Sequence, residues 1–244
     1  MTHSQSRSCA HVLVIEHESD AGPGMFRQWL VAAGVEVDVR RPYAGEDLPE
    51  RVDHGGLVVL GGSISACDDL KAPWLPQVRT LLAETTAHDL PVLGICLGAQ
   101  LLAAACGGRV EPSQTGGEVG LGTIDLTDES RRDLLFAGIS PPVQAVQWHH
   151  DEITQVPDGA VVLGTSSRCP VQAYRIGDRA WGVQFHPEVD GATAQAWAAD
   201  EARLSPELLA EMEAIAVAVL AAETHLFECW QGFAERFAGV VKAA

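Results

Sequence analysis

The pattern of apolar and polar positions changes character about halfway along the chain. Over residues 1–110, short β-branched runs alternate with longer segments of helical period, which predicts parallel strands joined by crossover helices. HVLVIE (11–16) reads as a first strand. After the Gly22-Pro23-Gly24 break, Met25 to Ala33 reads as a helix, and the alternating VEVDVR (35–40) as a half-buried strand. LVVL (57–60) is the continuous apolar run of a central parallel strand, ended by Gly61-Gly62. Leu75, Val78, Leu81 and Leu82 recur at helical spacing between Trp74 and His88. PVLGI (91–95) then gives a fourth strand, and Leu97 to Cys106 a helix closed by Gly107-Gly108.

Beyond residue 118 the pattern turns to strands and turns: VGLGTIDL, VQAVQWH, AVVLGTS, then PVQAYRI and RAWGVQF hinged at Gly177-Asp178 as a tight hairpin. From Ala192 to Ala244 the period is helical throughout, with Pro206 near the start. Leu208, Leu209, Met212, Ile215, Val219 and Leu220 form its apolar row, which suits core packing, with an interface helix as the alternative. The expectation is an α/β fold with a doubly wound, mostly parallel, flavodoxin-like sheet over residues 1–195. A C-terminal helical extension, 196–244, then packs on the same domain.

Composition changes this picture little. At 244 residues and 47% hydrophobic content the chain is long enough for a substantial core, and no run approaches the ~20 apolar residues of a membrane span. The polar N-terminal MTHSQSRSCA and the short apolar run after it do not form a signal sequence, so a cytoplasmic location is expected. A net charge of -17 repels phosphate backbones and anionic lipid, which disfavours nucleic acid and membrane surfaces as partners. The six cysteines are far apart, with no C-x-x-C pair, and read as reduced thiols rather than disulfides or zinc ligands.

One cysteine stands out. Gly94-Ile95-Cys96-Leu97-Gly98 is the thiol form of a nucleophile elbow, where a residue projects from a sharp strand-to-helix turn and its neighbours must be small. The following helix places its positive end at Cys96, which favours thiolate. The Leu97 N–H and a donor from the Gly61-Gly62 turn are candidates for an oxyanion hole. WGVQFHPEV supplies the rest: His186, at a strand end that Pro187 keeps from becoming helix, as base, and Glu188 as the group that orients it.

With these residues in place the chain resembles the class I (triad) glutamine amidotransferase family. GICLGAQ is similar to the family's nucleophile segment, GVQFHPE to its closing segment, and LVVLGGSISACDDLKAPWL to its oxyanion-strand segment. VQWHHDEIT is similar to a loop segment of the stand-alone, guanylate synthetase-like branch. The resemblance spans roughly residues 10–195 and implies attack of Cys96 on the side-chain amide of glutamine, proton donation by His186, and hydrolysis of a γ-glutamyl thioester. It further implies Gly62 and Leu97 as oxyanion donors, and Gly61, Gln100, His149 and Asp151 on the substrate side. No cofactor is implied.

His150 departs from the glycine frequent in that loop. The C-terminal segment lacks a phosphate-cradling G-x-x-x-x-G-K loop, so any ammonia acceptor is expected on a separate synthetase subunit. The alternative is a γ-glutamyl peptidase or hydrolase using the same triad, and the third reading is a regulatory subunit without turnover. A metal at His149-His150 is not expected, because adjacent residues on a strand point to opposite faces. Glu16 and Glu18 follow the first strand where a related cysteine-elbow superfamily places an acid, but the intact His186-Glu188 pair argues against that arrangement. The tryptophans read as packing residues, apart from Trp148, which is placed to line the pocket.

Overall fold

The computed structural model describes residues 10–244; Cys9 lies outside them. The parallel half of the fold follows the alternation read from the sequence. It runs β1 (Ala10–Ile15), α1 (Gly24–Ala32), β2 (Val35–Arg40), β3 (Leu57–Val59), α2 (Leu75–Ala87), β4 (Val92–Ile95) and α3 (Leu97–Ala105). The strand-rich half comprises β5 (Arg109–Pro112), β6 (Glu118–Leu126), β7 (Val143–His149), β8 (Asp151–Gln155), β9 (Val161–Thr165), β10 (Ala173–Ile176) and β11 (Ala180–Val183). Two helices, α4 (Gly191–Leu204) and α5 (Leu209–Lys242), end the chain.

Nine strands form one sheet in the order β2-β1-β3-β4-β11-β10-β9-β6-β7. From β2 to β11 neighbours are parallel; from β11 to β7 they are antiparallel, and Gly177-Asp178 turns the β10–β11 hairpin as expected. Beyond its antiparallel edge the sheet folds back on itself: the His186 N–H donates to the Val146 carbonyl at 2.8 Å. That contact brings the end of β7 over the carboxyl ends of β4 and β11, the usual ligand-binding edge of such sheets.

Apolar faces cover the sheet on both sides. Leu75, Val78, Leu81 and Leu82 of α2 join Leu97, Leu101 and Leu102 of α3 against one face. On the other, α1 and α5 bury Phe26, Trp230, Phe233 and Phe237, whose rings meet at centroid distances of 5.8–6.3 Å. Each such ring contributes roughly 1.5–3 kcal/mol by burial. Among the described residues no helix is long and apolar enough to cross a membrane.

The structure departs from the sequence expectation at three places. Strands β5 and β8 form a separate two-stranded sheet, so Asp151 starts a strand opposite Pro112 rather than lying in a loop. The C-terminal segment is helical as expected but comes in two pieces: Ser205, at φ -130°, ends α4, and Pro206–Leu208 makes a 3₁₀ turn that reverses the chain onto α5. The apolar row of α5 is only partly core. Met212 and Val219 are buried, whereas Leu209 and Leu220 are exposed beside an open groove between the two helices.

Candidate functional site

Cys96 sits where β4 gives way to α3, with φ +51° and ψ -108°. Such a conformation is costly for a non-glycine residue and persists only where packing enforces it. The two flanking glycines make it possible. A Cβ on Gly94 would strike the Gly98 carbonyl, and one on Gly98 would strike the Val59 carbonyl. The helix therefore starts directly against β3, with its N-terminal N–H groups around the thiol. The Gly98 N–H donates to the Leu60 carbonyl; neither the Leu97 nor the Gly62 N–H has an acceptor among the described residues.

His186 follows β11, the parallel neighbour of β4, so strand pairing carries it to the thiol. Its Nδ1 lies 2.7 Å from Glu188 Oε1, and both side chains are buried. The carboxylate can only accept, so Nδ1 carries the proton and Nε2, with no other partner, is turned to Cys96. Burial by itself pushes the imidazole pKa down, but the charges of Glu188 and Cys96 outweigh it and raise His186 to about 10. The arrangement favours a protonated imidazole beside the Cys96 sulfur. Gly61 completes the fit, since a Cβ there would lie 2.9 Å from His186 Cε1 and 3.5 Å from Cys96 Cβ.

These groups open into a cavity of about 300 Å³ lined also by Gly62, Ser63, Trp148 and Trp197. Trp148 lies where the sequence pattern puts it, and its carbonyl is 3.8 Å from the Cys96 sulfur. Trp197, from α4, is more than the packing residue its sequence context suggests; its ring stands edge-on to His186 at 4.9 Å and to Trp148 at 5.5 Å. The rim carries Glu18, Asp20, Asp200 and Glu201 against a single guanidinium, Arg203. Glu18 is held by the Ser63 N–H and hydroxyl at 2.8 and 2.7 Å, while Glu16 turns away to Arg41 and Tyr43. Nothing in the sequence distinguishes the α4 side chains from an ordinary exposed face.

None of the four residues expected on the substrate side is among those lining this cavity; Gly61 packs against His186 and Cys96 just behind it. Gln100 is buried beneath the elbow, donating to the Asp151 carbonyl at 3.1 Å and to Gln184 Oε1 at 3.2 Å; Gln184 in turn reaches the Cys96 sulfur at 3.7 Å. Asp151 presents its carbonyl to Gln100 and His149. His149 is buried on the side of β7 opposite Trp148, as strand alternation requires, and faces Glu118. His150, between β7 and β8, is exposed and is not one of the positive-φ residues, so the connection tolerates it without left-handed strain.

Similarity to known proteins points to one family. The glutamine amidotransferase class-I family model matches residues 24–202. One of the subunits of the glutamine-hydrolysing GMP synthase of Halobacterium salinarum is 32% identical over 180 residues, covering 73% of this chain and 89% of the relative. A glutamine amidotransferase structure from Methylobacillus flagellatus superposes with a TM-score of 0.81 at 30% identity, covering 96% of this chain and 94% of that one. One from Thermotoga maritima gives 0.82 at 25% identity, covering 95% and 99%.

Proposed function

The chain belongs to the class I glutamine amidotransferases, and from that premise we propose that it hydrolyses the side-chain amide of glutamine through Cys96, His186 and Glu188. The observation that carries this reading is the thiol on a forced elbow facing an imidazole whose other nitrogen is tied to a buried carboxylate at 2.7 Å. Cys96 thiolate attacks the amide carbon, the new C–S bond displaces the carbonyl electron pair onto oxygen, and the free N–H groups of Gly62 and Leu97 receive that charge. His186 protonates the amide nitrogen as the C–N bond breaks, and ammonia leaves. A water then attacks the thioester, giving its proton to His186, and glutamate departs as the thiol re-forms. Glu188 keeps the imidazole in the tautomer and orientation both steps need.

The ammonia goes to a separate acceptor protein on this reading, a partnership supported by relatives that are themselves subunits of a glutamine-hydrolysing synthase. The test is ammonia release from glutamine, together with mass spectrometry after exposure to a glutamine analogue carrying a diazoketone in place of the amide. An adduct on Cys96 is expected. Absence of both ammonia and adduct refutes the reading.

A second reading, a γ-glutamyl hydrolase using the same three residues, is favoured by the rim. Four carboxylates against one guanidinium suit a substrate with positive charge beyond the scissile amide. A panel of γ-glutamyl amides with neutral and cationic amine portions, compared with glutamine by kcat/KM, separates the two.

A further inference from the structure

A second cluster of reactive side chains lies behind the active-site wall, on the other side of β7. Glu118, at the start of β6, is the cross-strand partner of His149, at the end of β7, and Cys169 enters from the loop between β9 and β10. One ligand-capable atom from each lies within 4.8 Å of the other two. The catalytic proposal uses none of them in its chemistry.

The hydrogen bonds around His149 show what the cluster lacks. Nδ1 lies 3.0 Å from the Asp151 carbonyl, which can only accept, so Nδ1 carries a proton. Nε2 then faces the Glu118 carboxylate at 3.4 Å with no hydrogen-bond partner, on a residue only 4% exposed. A bare imidazole lone pair pointed at carboxylate oxygen is repulsive, and either a proton on Nε2 or a cation held between the two groups relieves it. This tautomer, with a backbone carbonyl on the far nitrogen, is also the arrangement that orients histidine toward a metal.

The other two side chains are held in position. Glu118 accepts from the Ser166 hydroxyl at 2.9 and 3.0 Å and from Gln172 Nε2 at 2.6 Å, which leaves acceptor capacity unused. The Cys169 N–H is fixed to the Ser166 hydroxyl at 2.9 Å, and its thiol rests 3.4 Å from the Val171 carbonyl. Glu152 is within electrostatic reach of Cys169 and has a buried Oε2 without a hydrogen-bond partner. The local field thus sets two carboxylates against the guanidinium of Arg168.

We propose that Glu118, His149 and Cys169 form a binding site for a divalent first-row cation, with Zn²⁺ as the fitting ion. One sulfur, one nitrogen and one oxygen ligand suit a tetrahedral ion, whose ligand atoms stand about 3.4–3.8 Å apart, so the cluster contracts by about 1 Å on binding. On binding, the Cys169 S–H proton passes to solvent, its contact with Val171 is lost, and a metal–sulfur bond forms. Water or Glu152 takes the fourth position. Because Trp148 precedes His149 on the same strand, the ion braces the wall of the catalytic cavity without entering it.

The test titrates Co²⁺ into chelator-stripped full-length protein. A thiolate-to-cobalt charge-transfer band is expected, saturating at one ion per chain and abolished by Zn²⁺. Cys169→Ser must remove the band, and Cys96→Ala must retain it. No band in the wild type, or one lost in Cys96→Ala and kept in Cys169→Ser, overturns the proposal. Should Cys169→Ser fail to fold, Glu118→Gln keeps the side-chain shape and is expected to weaken Co²⁺ binding at least about tenfold. Unchanged affinity in that variant also overturns it.

Discussion

Gly61→Ala isolates imidazole placement from every other feature of the site. The added methyl leaves the backbone unstrained, since Gly61 is not one of the positive-φ glycines, and it removes no donor or acceptor. It does place a carbon 2.9 Å from His186 Cε1, where non-bonded carbons rest at about 3.5–4.0 Å. The ring must retreat by about 0.5–1 Å. Its exits are restricted by the 2.7 Å bond to Glu188 on one side and the Trp197 ring on the other. A displacement of that size at a proton-transferring group costs up to about 10²-fold in rate. Overpacking of this kind destabilises by about 1–3 kcal/mol.

The expected result is therefore a kcat for ammonia release lowered about 10- to 100-fold with KM little changed, in a protein that still unfolds cooperatively. Gly62→Ala is the comparison. Its Cβ meets Leu97 Cδ2 at 3.0 Å and His17 Cβ at 3.1 Å, neither of them part of the proton path, and it keeps its N–H; a loss below about tenfold is expected. Steady-state kinetics and thermal melts of both variants decide the matter. A Gly61→Ala enzyme within about twofold of wild type, or one weaker than wild type only through KM, refutes the claim that Gly61 sets the imidazole position.

Cys96→Ala should lower turnover by about 10⁴-fold or more while leaving the circular dichroism spectrum intact, because the nucleophile is lost and few contacts with it. Glu188→Gln should cost less than His186→Ala, since the amide oxygen can still accept from Nδ1; equal or reversed losses in kcat contradict the roles assigned. Iodoacetamide should reach Cys96 before Cys106, Cys169 and Cys229 in a brief course followed by mass spectrometry. Burial raises the Cys106 pKa, and lifts Cys169 to about 12 and Cys229 to about 11, whereas exposed Cys67 serves as the accessibility control. The His186 pKa is raised on folding, so its stabilising contribution is complete below about 6.5 and is lost as pH rises through about 10. The Tm difference between wild type and His186→Ala should shrink over that window; a difference independent of pH shows that the imidazole is not charged in the fold.

The catalytic constellation is legible in the sequence because each member marks a strand end by a local rule. Gly94 is required by a carbonyl collision within the elbow itself and Gly98 by the approach of β3, and Pro187 stops helix next to His186, so both signals show as small or special residues within a few consecutive positions. The features that are not legible depend on contacts between distant segments. Trp197 reaches the cavity only because the Ser205-Pro206 turn folds α5 back and seats α4 over the opening; in sequence it is one aromatic on an amphipathic helix. Gln100 carries the spacing of a substrate contact, yet β8 brings the Asp151 carbonyl against it and holds the amide under the thiol. His149 ends β7 and His150 lies in the bend before β8; the structure buries the first and exposes the second, so the adjacent pair does not face one ion. The partners of His149 lie instead across the sheet. The register pairing Glu118 with His149 is fixed by how β6 and β7 align over seven residue pairs, which no local pattern specifies.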